Sequence, residues 1–327
     1  MSAIAVLPVA GAGTHLRPHT HTLPKALIQV AGKPILGHIL DEIQALGIKQ
    51  LILIVGYMGE KIIKYTEENY HFRIQIVEQR ERKGLGHAIY LAREYLPREP
   101  ILIILGDTIF KADLRKIISG PGSSLAVKTV SDPRRFGIVE LKGKFIKSLV
   151  EKPARPSSNL AIIGIYYLTN VPLLIESLET MIQEKIRTGN EYQLTDALQL
   201  MIKRGEKIKA FEVENWFDCG RPETLLLANK YLLGKGKKTF HRKGSIIIPP
   251  VFIAESSVVK QSIIGPYVSI AEGTFISESV LQNSIINENA RVEKVLLSAS
   301  IIGENAIVAG KFQQLNVGDS SEISFIE

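Results

Sequence analysis

The chain has 327 residues, 45% of them apolar, and a formal charge of +7; this is length for one large α/β core plus a smaller module, and no run approaches the ~20 apolar residues of a membrane-spanning helix. The single cysteine, Cys219, excludes an internal disulfide and a cysteine zinc site within one chain, and the N-terminus lacks the basic patch and apolar run of an export signal, so a cytoplasmic location without membrane contact is expected. The basic residues are scattered apart from a cluster at 235–243, a pattern that suits phosphorylated small molecules better than nucleic acid.

From residue 3 to residue 231 short apolar runs alternate with amphipathic segments. Residues 4–8 read as a strand leading into a glycine-rich turn. Residues 34–46 read as a helix with Pro34 in its first turn, 51–55 as an apolar strand, 60–69 as a helix, 73–79 as a strand, 85–95 as a helix and 100–105 as a second fully apolar strand. Such strands, flanked by helices, predict a Rossmann-like α/β core with a mostly parallel, partly mixed sheet and ligands at the carboxyl ends of its strands. Residues 123–130, 137–141, 145–149 and 161–168 read as strands that extend the sheet or form a lid. Helices follow at 171–186, 194–203 and 223–233, the last ending at Gly234.

After a Gly/Lys-rich break the pattern changes. Apolar residues recur every sixth position at Ile246, Phe252, Val258, Ile264, Ile270 and Ile276, and the spacing resumes at Ile286, Val292, Ile302 and Val308. A period of six fits a parallel β-helix, in which each short strand contributes one inward rung. A sandwich of short strands is the alternative, but ordinary alternation does not hold this spacing for so long. Residues 311–327 lose the period and read as a cap or an intersubunit contact. The expected domains are therefore an α/β unit at 1–233, a linker at 234–245 and a β-helix with its cap at 246–327, with association into a homo-oligomer.

Polar motifs follow the strands. Ala10-Gly11-Ala12-Gly13-Thr14-His15-Leu16-Arg17-Pro18, then Pro24-Lys25, combines small residues that let backbone amides approach phosphate oxygens with two cations suited to a polyphosphate. It lacks the Gly-Lys-Ser/Thr ending of a mononucleotide P-loop. Asp107, after Gly106, suits either a turn cap or a ligand for magnesium, which prefers hard oxygens. Asp218, within Trp216-Phe217-Asp218-Cys219-Gly220, is a second carboxylate that would complete such a site if the fold brings the two together. In Glu151-Lys152-Pro153 the lysine suits a sugar phosphate and the glutamate sugar hydroxyls, or the segment is an exposed turn before proline. Gln79, followed by Gly84-Leu85-Gly86-His87, can donate and accept and so can read a pyrimidine edge, while His87 caps or packs. No Gly-x-Ser-x-Gly elbow or His-Glu-x-x-His zinc motif is present.

Taken together, over residues 3–233, these motifs closely resemble the sugar-1-phosphate nucleotidylyltransferase family, in particular members that activate glucose 1-phosphate with a pyrimidine nucleotide. Phe136-Gly137-Ile138-Val139-Glu140 and Glu191-Tyr192-Gln193-Leu194-Thr195-Asp196 also fall in the family's order. The resemblance implies that Ala10, Gly11 and Gly13 hold the nucleotide and that Gln79 and Gly84 contact its base. Asp107 and Asp218 would hold Mg2+, Lys25 would contact phosphate at the reacting centre, and Gly137, Glu151, Lys152 and Asn159 would position the sugar phosphate. The expected reaction joins dTTP or UTP to a sugar 1-phosphate; the GTP-dependent mannose 1-phosphate branch shares most of the phosphate motifs. At the position of the family's loop arginine stands His15, shorter and largely neutral at neutral pH; Arg17 is the nearby replacement, or the chain is a non-catalytic binding protein or scaffold. The C-terminal repeat resembles the left-handed β-helix of longer members, which in some carries acyl transfer; with no histidine after His241 that general base is missing and the helix is expected to be structural.

Overall fold

The computed structural model describes residues 3–234 and 240–311, in two compact units, Met1–Ala228 and Asn229–Glu327. Residues 235–239 of the expected linker and 312–327 of the expected cap lie outside the described residues. No helix among the described residues is long and apolar enough to cross a membrane.

Apart from a two-residue pair, Gln29–Val30 with Lys33–Pro34, the strands of the first unit are β1 (Ile4–Pro8), β2 (Gln50–Val55), β3 (Arg73–Glu78), β4 (Ile101–Ile104), β5 (Thr108–Lys111), β6 (Ser124–Thr129), β7 (Gly137–Lys142), β8 (Phe145–Glu151), β9 (Leu160–Leu168), β10 (Lys209–Glu212) and β11 (Asn215–Asp218). Nine of them form a sheet in the order β3-β2-β1-β4-β9-β6-β10-β8-β7. The β3-β2-β1-β4 half is parallel, linked through the helices α1 (Ile35–Ala45), α2 (Gly59–Asn69) and α3 (Leu85–Leu91). Beyond it the sheet is mixed rather than mostly parallel. β9 runs antiparallel to both β4 and β6, and β8 runs antiparallel to β10 and β7. An apolar run such as β9 is buried in either direction, so its composition does not encode its orientation.

Val6, Ile52, Ile54, Ile101 and Ile103 point into one core with α3, α5 (Val171–Gln183) and α6 (Leu194–Lys203). Their strand neighbours Ala5, Leu7, Leu51, Leu53, Leu102 and Ile104 are also buried, so both faces of the parallel half are covered. The expected helix at 85–95 stops at Leu91 and continues only as a 3-10 turn, Arg93–Tyr95. Several short elements escape the sequence pattern, among them β5, β10, β11 and α4 (Leu114–Ile118), the last capped by the Asp113 carboxylate, which accepts the Lys116 N–H.

In the second unit, three parallel four-stranded sheets form the sides of a β-helix. Its strands pair in steps of 17 residues at first, as Ile246 with Ile263 and Ile263 with Val280, and then of 16, as Val280 with Leu296 and Arg291 with Ile307. A strict six-residue period would need 18, so the inward column differs from expectation at its start. Ile246 and Val258 are exposed and Phe252 is half-buried, while Ile253 and Val259, one residue on, are buried. From Ile264 through Ile270, Ile276, Ile286 and Val292 the expected residues fill the core. At one corner, serines link successive coils: Ser245 Oγ accepts from Ser262 N–H and Ser262 Oγ from Ser279 N–H, both at 3.1 Å. Ile270 is fully buried in this column. Ile270→Ala is expected to destabilise this unit by about 2–5 kcal/mol, read as faster amide exchange in the neighbouring coils with the first unit unchanged.

Candidate active site

The loop after β1 is built around Gly13. Its φ of +60° is left-handed, and a Cβ there would lie 2.8 Å from the Thr20 methyl and 2.9 Å from the Lys25 Cβ, so only glycine fits. Thr20 Oγ1 donates to the Gly13 carbonyl at 2.8 Å and ties the loop's two ends. Residues 8–14 form one wall of a cavity of about 400 Å3; Gln79, Arg82 and Gly84, after β3, form another, and Gly106 and Asp107, after β4, a third. Gly84 has φ +101°, and a Cβ there would stand 2.5 Å from the Tyr192 carbonyl.

Asp107 and Asp218 are brought together by a pairing outside the main sheet. β5 and β11 form a two-stranded antiparallel ribbon with Thr108 opposite Asp218, and the Cys219 N–H donates to the Asp107 carbonyl at 2.9 Å. Trp216 Nε1 donates to Thr108 Oγ1 at 2.7 Å, which locks the ribbon. Between the carboxylates lies the largely buried Lys25, with Nζ 2.6 Å from Asp107 and 4.0 Å from Asp218. Burial would depress the Lys25 pKa, but the two carboxylates hold it above the ordinary lysine value. Burial, and then the Asp107 charge, push the Asp218 carboxyl up, against the pull of Lys25 and Arg135.

A second cavity, of about 290 Å3, lies on the other side of Asp107 and is lined by Arg135, Gly137, Glu151, Lys152, Tyr166 and Thr195 among others. Glu151 is opposite Gly137 in the β8–β7 pairing, and a Cβ at Gly137 would lie 2.9 Å from both Glu151 Oε2 and Thr195 Oγ1. Thr195, at the start of α6, donates to Glu151 at 2.7 Å. Burial raises the Glu151 pKa, while the Thr195 hydrogen bond and the Lys152 charge oppose the rise. Lys152 has φ +42°, a costly conformation for a side-chain-bearing residue, and its backbone N–H donates to the Phe136 carbonyl at 2.9 Å.

The fold therefore gathers Ala10, Gly11, Gly13, Lys25, Gln79, Gly84, Asp107, Gly137, Glu151, Lys152 and Asp218 around two adjoining cavities. Two expected residues are not among them. Arg17 is exposed and lines neither cavity: Leu16 is fully buried, which turns its neighbours His15 and Arg17 outward. Asn159 is exposed on the approach to β9, with its carbonyl accepting the Val130 N–H. The sequence reading missed Arg82, Thr195 and Arg135, whose Nη2 is 3.9 Å from Asp218. Arg135 and Thr195 could have been found from their places next to Phe136-Gly137 and inside the Glu191–Asp196 motif; for Arg82 there was no such signal.

Both cavities sit at strand ends, one against a glycine loop and the other against a Glu-Lys edge. This arrangement places both cavities at the carboxyl edge of an α/β sheet, where such folds bind their ligands. The chain belongs to the nucleotidyl transferase family, whose model matches residues 4–235. It is 39% identical over 254 residues to the bifunctional protein GlmU of Methanocaldococcus jannaschii, covering 75% of this chain and 60% of that protein. It is 35% identical over 229 residues to the UTP–glucose-1-phosphate uridylyltransferase AglF of Haloferax volcanii, covering 67% of this chain and 92% of that protein. Among solved structures, UDP-glucose pyrophosphorylase complexed with UDP-glucose matches with a TM-score of 0.62 at 27% identity, covering 72% of this chain and all of that one.

Proposed function

We propose that the chain transfers a nucleotidyl group from UTP or dTTP to a sugar 1-phosphate, with glucose 1-phosphate the first choice, forming an NDP-sugar and pyrophosphate. The observation that carries this reading is that Asp107 lines both cavities, with Lys25 and Asp218 beside it. One cavity has the glycine loop and Gln79 for a nucleotide; the other has Glu151 and Lys152 for a sugar phosphate. The names of the AglF relative and of the pyrophosphorylase structure agree with such a pair of substrates.

In this reading a phosphate oxygen of the sugar 1-phosphate forms a bond to the α-phosphorus. The bond from that phosphorus to the bridging oxygen of pyrophosphate breaks, and the electron pair leaves with pyrophosphate. The attacking oxygen is already anionic, so alignment and charge neutralisation do most of the work. Loop amides at Ala10–Gly13 hold phosphate oxygens, Lys25 stands at the reacting centre, and Arg135 and Lys152 face the sugar phosphate. Two carboxylates that converge and repel are a fitting donor set for magnesium, which keeps waters and substrate phosphates as its other ligands. Asp107 and Asp218 would hold it, and the ion would supply neutralisation of triphosphate charge. Among the described residues no cluster of three or more acidic, histidine or cysteine side chains offers a fuller metal cage. Left-handed winding of the β-helix and homo-oligomeric assembly belong to the same reading; light scattering on the full chain measures the latter.

The test is pyrophosphate release with magnesium, glucose 1-phosphate and each of UTP, dTTP, GTP, CTP and ATP. Release with UTP or dTTP supports the reading, and release with GTP alone moves it to the mannose 1-phosphate branch. The outward turn of both His15 and Arg17 favours one rival, a binding protein without turnover. Nucleotide binding without release from any sugar phosphate would establish that rival.

Thr195→Val removes the hydroxyl whose hydrogen bond opposes the burial-driven rise of the Glu151 pKa. The sugar-phosphate KM is expected to rise about tenfold. Because the lost bond favoured the carboxylate, Glu151 then protonates at a higher pH, and the acid limb of kcat/KM moves upward. A pH profile of wild type and variant measures both effects.

A further inference from the structure

Gln79 lies at the end of β3, 6% exposed, with its side chain on the wall of the larger cavity. Its Nε2 donates to the Gly84 carbonyl at 3.0 Å and lies 3.3 Å from His87 Nδ1. The Gly84 carbonyl can only accept, so it fixes which end of the carboxamide faces it: reversed, Oε1 would confront another acceptor. The second N–H of the same nitrogen then goes to His87. For Nδ1 to accept, the ring must be neutral with its proton on Nε2. Burial, and then the Lys83 ammonium, hold the His87 pKa below the ordinary imidazole value, which keeps the ring neutral at neutral pH. The ring itself is held in place, stacked on Tyr192 with centroids 6.4 Å apart, and Tyr192 is clamped by Arg187, whose guanidinium lies 4.5 Å over its face. Both hydrogens of the Gln79 amide are thus used inside the protein, and Oε1 accepts no hydrogen bond from any described residue.

We propose that His87 is a positioning residue for base selection: by taking the second N–H of Gln79 it leaves that side chain only an acceptor to offer, so the cavity takes bases with a ring N–H, uracil or thymine, ahead of cytosine. This rests on the reading of the larger cavity as the nucleotide site. Uracil and thymine present N3–H, which pairs with a lone acceptor. Cytosine presents a bare N3, which needs a donor, and the donor that Gln79 could have supplied is engaged by His87. With Gly84 alone, one amide hydrogen would be free to swing toward the cavity and satisfy cytosine. Discrimination here works by withholding a partner from the wrong base as much as by offering one to the right base.

The experiment is equilibrium binding of UTP and CTP to the full chain, wild type beside His87→Phe, His87→Asn and His87→Gln, with pyrophosphate release followed on the same samples. The Oδ1 of asparagine takes the place of Nδ1, so His87→Asn should keep the wild-type preference. Phenylalanine keeps the ring stack without the acceptor, and glutamine places its oxygen too far out; each should narrow the UTP-to-CTP affinity ratio about tenfold, mainly by tighter CTP binding. If one of these two fails to fold, the other still decides. An unchanged ratio in both overturns the proposal, as does a narrowing in His87→Asn equal to that in His87→Phe, or a wild type without UTP preference. A wild type that prefers UTP by binding but releases no pyrophosphate with any sugar phosphate refutes the transfer reaction and leaves the role of His87 standing; one that binds no nucleotide refutes both.

Discussion

Asp107→Asn is expected to lower pyrophosphate release about a thousandfold while moving the Tm by no more than about 3 °C. The two effects separate because the Asp107 charge, besides pairing with Lys25, repels a second carboxylate. Its side chain is 40% exposed and lies near Asp218, whose carboxyl it pushes up on top of the effect of burial. Removing that charge relieves the repulsion and leaves Lys25 still paired with Asp218. The ribbon that carries both residues is held by backbone bonds and by the Trp216–Thr108 hydrogen bond, neither of which uses the Asp107 carboxylate. Release assays and a melting curve on the same preparation make the measurement. A Tm that falls in step with activity would make Asp107 a structural residue.

Lys25→Met should act on both quantities. The ammonium is largely buried and neutralises two carboxylates at once. Without it Asp107 loses its ion pair and Asp218 is left with the contact to Arg135 at 3.9 Å as its ionic partner. Breaking a buried pair from one side leaves charge uncompensated, and a loss of about 3 kcal/mol is expected, together with at least a ~1000-fold fall in release from loss of the charge at the reacting centre. Magnesium chloride should restore part of the variant's Tm and raise the wild type's by less, because a divalent cation can occupy the place the ammonium vacates. Equal shifts in the two proteins would remove the carboxylates from the metal site.

Local pattern made much of this legible. The strands before Ala10–Gly13 and Gly106-Asp107 are dense apolar runs and the one before Gln79 alternates in part, so the polar residues after them could be placed at the sheet's carboxyl edge from the sequence. The meeting of Asp107 and Asp218 could not be read, because it depends on β5 and β11, four residues each and about a hundred apart in sequence, with no periodicity to mark them as partners. Nor could the direction of β9, since an all-apolar strand packs equally well either way. Arg17 misled because charge and spacing say nothing of side-chain direction; the burial of Leu16 decides that. The hydroxyl of Thr195 was visible as a letter, but its bond to Glu151 spans 44 residues and exists only after α6 is docked beside β8.

The coil length of the second unit has a consequence for how that unit can change. Inward isoleucines of one coil rest on those of the next through pairings 16 or 17 residues apart. Deleting one residue within a strand turns the following side chains over, so that an isoleucine meant for the core faces water and a polar neighbour takes its place. Removing or adding a full coil keeps every column intact. The length of this unit is therefore quantised: it can be shortened or extended in whole coils, by splicing at equivalent corners, while a change of one or two residues is tolerated only where the chain turns.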